Sequence, residues 1–336
     1  MAFPVDPSSM SLDSRGLFLV QDPKLQERIL PLFSFNPEDP AQRPKGHGTT
    51  FRVDPWSCCA TAFHVLEDIL QVNRAGSAIS LRPDISLAVL AIHKTAYGLV
   101  PVYEDSWRSL AGTYGLARVE LPLVGEARIR NLTELMALRI MSPDGEKEAV
   151  PYLHVDFCRW RPRIGEPILA LGYADLDDDK GISDEGRPIS QYLYGSTGVI
   201  TDIEPADGTR SSPWPMIRID ANWPGGMSGG PVFNEAGNVV GVVSAGFDGV
   251  RGATATIFSG WDMPGRIFSS IDPSNPGAFL CWGGFDAAGE LVLAGQNKAS
   301  VEKFCFEQGH PEFGLVSFNP ATGDVVRLGP SGSLYA

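Results

Sequence analysis

Basic charge is scarce in this chain. Its 336 residues carry a net charge of −13 at pH 7, and no basic stripe stands out, which argues against nucleic acid as a partner. Long apolar runs are missing as well. None approaches the ~18 residues that a membrane-crossing helix requires. The five cysteines are an odd number, and Cys58 and Cys59 are adjacent, so no paired disulfide framework is visible. Residues 1–24 lack the basic stretch followed by an apolar core that marks a secretory signal. These absences together predict a cytoplasmic protein with no membrane partner. Histidine is also sparse. His47, His93, His154 and His310 fall in no metal-ligand spacing with cysteine or carboxylate, so neither metal nor cofactor is expected. The acidic residues Asp177, Asp178, Asp179, Asp184 and Glu185 do not follow the EF-hand spacing and read as a solvated loop.

What is abundant is turn chemistry. Glycine (37) and proline (27) alternate with short β-branched runs, the pattern of an all-β chain. The densest stretch is Asn222-Trp223-Pro224-Gly225-Gly226-Met227-Ser228-Gly229-Gly230-Pro231. Glycine permits backbone angles closed to other residues. A serine on such a turn has an accessible hydroxyl, and the neighbouring N–H groups can converge on one point. Those are two needs of acyl transfer, a nucleophile and donors for the oxyanion.

Gly226-Met227-Ser228-Gly229-Gly230-Pro231 resembles the nucleophile motif Gly-(Asp/Asn)-Ser-Gly-Gly-Pro of chymotrypsin-fold serine proteases. The wider run from Ile219 looks most like the bacterial high-temperature-requirement branch. Upstream, Thr61-Ala62-Phe63-His64-Val65 resembles that family's Leu-Thr-Ala-Ala-His-Val, which makes His64 the expected general base. Downstream of it, Gly165-Glu166-Pro167-Ile168-Leu169-Ala170-Leu171-Gly172 resembles the strand that opens the second barrel of the family. The resemblance implies an all-β fold of two antiparallel six-stranded barrels. The expected units are an initial segment (1–44), a first barrel with an insertion and linker (45–160), and a second barrel carrying the nucleophile (161–272). A small β appendage (273–336) follows. It is expected to hold two hairpins, around residues 280–293 and 315–328, and does not resemble a PDZ module.

The acid that orients the base has two candidates. Asp84-Ile85-Ser86-Leu87 has the expected residue type but follows His64 closely, with an apparent helix in the gap. Glu134, in Thr133-Glu134-Leu135-Met136-Ala137-Leu138-Arg139-Ile140, suits the barrel topology but is one methylene longer. Topology favours Glu134, with extra material then falling in residues 82–125, and Asp84 stays open. The resemblance implies an oxyanion site at the N–H groups of Gly226 and Ser228. It also places substrate-backbone pairing at Ser244, Ala245 and Gly246, and a primary pocket whose floor is Asn222, with Asp248 nearby. Met227 cannot form the ion pair by which digestive relatives are activated, so no such activation is expected. The implied activity is a serine endopeptidase acting on protein or peptide substrates, with a regulatory protein partner open. The alternative is a catalytically silent binding module on the same fold.

Overall fold

A computed structural model of the chain describes residues 3–39, 42–73, 79–91, 98–100, 106–121, 127–141, 150–157, 159–176, 189–206, 212–246, 252–272, 274–275, 277–329 and 332–333. A short strand β1 (Phe18–Leu19) and the helical turn α1 (Pro23–Gln26) precede the first barrel. That barrel contains β2 (Ile29–Phe35), β3 (Lys45–Arg52), β4 (Cys58–Ala62), β7 (Ser86–Leu90), β9 (Trp107–Glu120) and β10 (Arg128–Ile140). It closes in the order β10-β4-β3-β2-β7-β9. The helical turn α2 (His64–Glu67) and a side hairpin of β5 (Leu70–Val72) and β6 (Ile79–Leu81) sit between β4 and β7. A separate pair joins β8 (Gly98–Val100) to β12 (Ile189–Gln191).

The second barrel contains β11 (Pro167–Gly172), β13 (Tyr194–Glu204), β14 (Met216–Ile219), β15 (Pro231–Phe233), β16 (Val239–Gly246) and β17 (Ala253–Ile257). Its order is β13-β11-β15-β16-β17-β14, and pairing of β13 with β14 closes it. Strand β1 adds to the outside of β13. A helical turn α3 (Met263–Ile267) leads to a C-terminal five-stranded sheet of β18 (Phe279–Phe285), β19 (Leu291–Gly295), β20 (Glu312–Phe318), β21 (Val325–Arg327) and β22 (Gly332–Ser333). One longer helix, α4 (Lys298–Gln308), covers it.

The apolar runs explain the two-barrel packing. Side chains alternate across a strand. In β11, Ile168 and Ala170 point into the second barrel's core, while Leu169 and Leu171 join a cluster shared by both barrels. In β4 and β10, Cys59, Met136 and Leu138 fill the first barrel, and Ala60, Leu135 and Ala137 face the shared cluster. Strands buried on both faces read as continuous apolar segments, which is what these segments are.

Two boundaries differ from the sequence reading. The first barrel begins at β2, so residues 29–35 belong to it rather than to a separate initial segment, and β1 belongs to the second barrel. Pro31 is tolerated in β2 because it pairs with Thr49 of β3 but precedes the stretch, Leu32–Phe35, that pairs with β7. Within residues 82–125, β7 and β9 are barrel strands, and β8 between them lies outside the barrel, paired with β12. Trp107 on β9 packs edge-on against Phe33, centroids 5.2 Å apart. Asp177, Asp178, Asp179, Asp184, Glu185 and Asp248 lie outside the described residues.

Candidate active site

His64 opens α2, directly after β4. The β4–β10 ladder pairs Ala62 with Leu135, and the Phe63 N–H donates to the Glu134 carbonyl at 2.7 Å. The ladder therefore delivers the Glu134 side chain beside His64. Its register against β9 slips between Asn131/Ala117 and Met136/Gly115. Extra β10 residues bulge out there, as bulges do when they re-aim a side chain. The buried Glu134 carboxylate has both oxygens engaged. Oε1 makes a short contact with His64 Nδ1 and accepts from the His64 N–H at 3.4 Å. Oε2 accepts from Asn131 Nδ2 at 3.1 Å.

Asp84 is placed elsewhere. It lies on an exposed turn before β7, where its carboxylate accepts from Arg82 Nη2 at 2.7 Å. That hydrogen bond holds its pKa below the usual value. His47, on β3, has its ring against Ser34 Oγ at 2.7 Å, and burial pushes its pKa down to about 4. It stays neutral at physiological pH.

The serine loop is set by backbone constraints. Gly226 (φ +88°) and Gly229 (φ +81°) are left-handed. A Cβ on Gly226 would lie 2.3 Å from the Tyr173 carbonyl, and one on Gly229 2.3 Å from the Thr49 carbonyl. No other residue fits at either place. In a trans peptide the C=O and N–H point in opposite directions. The Gly225 carbonyl accepts from the Asp175 N–H at 3.0 Å, and the Met227 carbonyl from the Gly230 N–H at 2.9 Å. The Gly226 and Ser228 N–H groups are thereby turned away from these partners, and neither has an acceptor among the described residues. Thr49 clasps the same loop from the first barrel. Its N–H donates to the Ser228 carbonyl at 2.9 Å, and its Oγ1 donates to the Gly226 carbonyl at 2.7 Å.

His64, Glu134 and Ser228 line one cavity of about 600 Å³ between the barrels. Its other walls include Trp214, Met216, Trp223, Ser244, Ala245 and Thr254. Ser244 Oγ is tied to Thr256 Oγ1 at 2.7 Å. On one side, β17 pairs Ala245 and Gly246 with Thr254 and Ala253. On the other, pairing of β16 stops at Val243. Among the described residues, 244–246 therefore keep one open edge. Asn222 is not on the cavity wall. Its amide turns to the Arg15 carbonyl at 3.2 Å, and Trp223 is the neighbour that reaches the cavity. Among the described residues, no group of three or more His, Cys, Asp or Glu side chains converges as a metal site.

Asn131, Thr49 and Arg15 are the site residues that sequence reasoning did not find. Each acts through a hydrogen bond to a residue distant along the fold or across a bulge. Such bonds leave no periodic signal.

A family model for the trypsin-like peptidase domain matches residues 48–242, a span running from β3 into β16. Among solved structures, the crystal structure of Deg5 is similar at 16% identity, covering 72% of this chain and 88% of that chain, with a TM-score of 0.41. No curated protein matches the chain.

Proposed function

The chain belongs to the trypsin-like peptidase domain family, and from that membership and the geometry of its cleft we propose that it is a serine endopeptidase. The observation that carries the reading is the buried Glu134 carboxylate on His64 Nδ1, at a cavity that Ser228 also lines. The carboxylate fixes the tautomer, so Nδ1 keeps its proton and Nε2 is left as the base. Ser228 Oγ then attacks a peptide carbonyl, and His64 takes the hydroxyl proton. The oxyanion is received by the N–H groups of Gly226 and Ser228, donors worth 10²- to 10³-fold each in rate by order of magnitude (~3 kcal/mol). His64 returns the proton to the leaving amine, and water repeats the sequence on the acyl-enzyme. The substrate is a protein or peptide segment, extended so that it adds to the open edge at residues 244–246. A restricted set of substrates, or control by a protein partner, fits a chain of this family that lacks the ion pair of digestive members at Met227.

Labelling of the purified protein with a fluorophosphonate serine probe tests the proposal. Wild type is expected to label, Ser228→Ala and His64→Ala to lose labelling, and Glu134→Gln to lose far more than Asp84→Asn. Folded wild type that does not label would overturn it in favour of a catalytically silent module.

A further inference from the structure

Residues 12–19 are built into the back of the serine loop. They form a tight turn of their own: Asp13 Oδ1 accepts from the N–H groups of Arg15 (2.8 Å) and Leu17 (3.0 Å), and Leu12 bridges Phe18. The turn is fastened to the second barrel by the pairing of Phe18 and Leu19 with Gly195 and Tyr194. From it, three contacts reach the serine loop. The Arg15 carbonyl accepts from Asn222 Nδ2 at 3.2 Å. The fully buried Leu17 shares a core cluster with Met227. The Arg15 guanidinium makes a short ion pair with Asp175, whose N–H donates to the Gly225 carbonyl. That last bond acts on the peptide group that carries the Gly226 N–H.

We propose that this N-terminal turn is a positioning element for the serine loop, with Arg15 as the positioning residue that keeps the Gly226 N–H turned toward substrate. The inference rests on Ser228 being the nucleophile. Asp175 is a non-glycine residue at φ +54°, a conformation that persists only where its surroundings hold it. Arg15 is what holds it, gripping the carboxylate while stacking over Tyr194, 5.4 Å from the ring centre. Once the grip is lost, Asp175 relaxes, its N–H leaves Gly225, and the Gly225–Gly226 peptide is free to rotate. Met227 has no charge with which to pin the loop itself, so the apolar contact through Leu17 and the polar one through Arg15 do that work from another part of the chain.

The test compares full-length wild type, Arg15→Ala, Arg15→Lys and Asp175→Asn by two readouts. Amide hydrogen exchange over residues 222–230 reports the loop directly and needs no activity. The rate of fluorophosphonate labelling reports the oxyanion site. For Arg15→Ala, exchange over 222–230 is expected to rise about tenfold while β4 keeps its protection, and labelling to slow by about tenfold or more. Arg15→Lys, which keeps a charge for Asp175, is expected to recover much of both. Asp175→Asn tolerates the left-handed backbone and is the gentler variant if Arg15→Ala folds poorly. It is expected to show the same pattern more weakly. Unchanged exchange over 222–230 in both Arg15→Ala and Asp175→Asn would overturn the inference, whatever labelling shows. A wild type that fails to label, with the loop still loosened in Arg15→Ala, would overturn the peptidase reading and support the positioning role.

Discussion

One methylene separates glutamate from aspartate, and the bulge in β10 takes up that length. Glu134 leaves the strand where the register slips, so its longer side chain reaches His64 Nδ1 without displacing β4. Glu134→Asp withdraws the carboxylate from the imidazole. If the proposed peptidase mechanism holds, steady-state kinetics on a cleaved peptide should show kcat down by about 10- to 100-fold with little change in KM, since a group that orients the base then acts mainly in the transition state. Asn131→Ala leaves Oε2 without its donor and should give a smaller loss in the same direction. That His64 and Ser228 line one cavity was legible from the sequence because each sits in a short motif that local geometry demands. The choice between Glu134 and Asp84 was not, because it depends on how far β10 bulges and on Arg82 occupying Asp84. Asn222 misled for a related reason. Its position in the chain is right for a pocket floor, but its amide is claimed by the Arg15 carbonyl.

Among the elements, β3 meets the second barrel through Phe51 in the shared core and through the hydrogen bonds of Thr49. Thr49 Oγ1 accepts from the Tyr173 N–H at 2.9 Å and donates to the Gly226 carbonyl at 2.7 Å. Thr49→Val keeps the shape and removes both bonds, taking the partner from the buried Tyr173 N–H and from the half-buried Gly226 carbonyl. Urea denaturation should show a loss of about 1–3 kcal/mol, and an unchanged midpoint would contradict the clasp. Strands such as β11 and β16 were legible because burial on both faces writes an unbroken apolar run. The helix α4 was not. Its capping signals are present, with Asn297 accepting from the N–H groups of Ala299 and Ser300 and Gly309 left-handed at the C-terminus. Only Val301 and Cys305 on it are buried, however, too thin a stripe to register as helical periodicity.

At the scale of the whole molecule, Asp54 ties the C-terminal sheet to the first barrel. It accepts from the N–H groups of Trp56 and Cys58, from Ser270 Oγ, and from Gln296 Nε2 at 2.8 Å. Beside it, Trp56 packs edge-on against Phe279 and donates to the Ala294 carbonyl. Burial pushes the Asp54 carboxyl up to about 6, against those hydrogen bonds. The folded state thus holds this proton more tightly than the unfolded chain does. Its contribution, roughly 2–3 kcal/mol, is fully present below about pH 4 and is lost as pH rises through about 6. Thermal melts should show wild type losing ground to Asp54→Asn between about pH 4 and pH 7, and parallel curves would contradict the assignment. The two hairpins of this sheet were legible from their spaced turns, whereas its docking partner was not, since a buried aspartate looks like any other in a turn. The pairing of residues 12–19 with the second barrel carries a consequence for synthesis. Asn222 and Arg15 are 207 positions apart. At the ~5–20 residues per second of translation, the N-terminal turn waits on the order of 10–40 s for the strand and loop it fastens. The barrel that carries His64 is made well before the loop that carries Ser228, and throughout that interval a nascent chain has no assembled cleft.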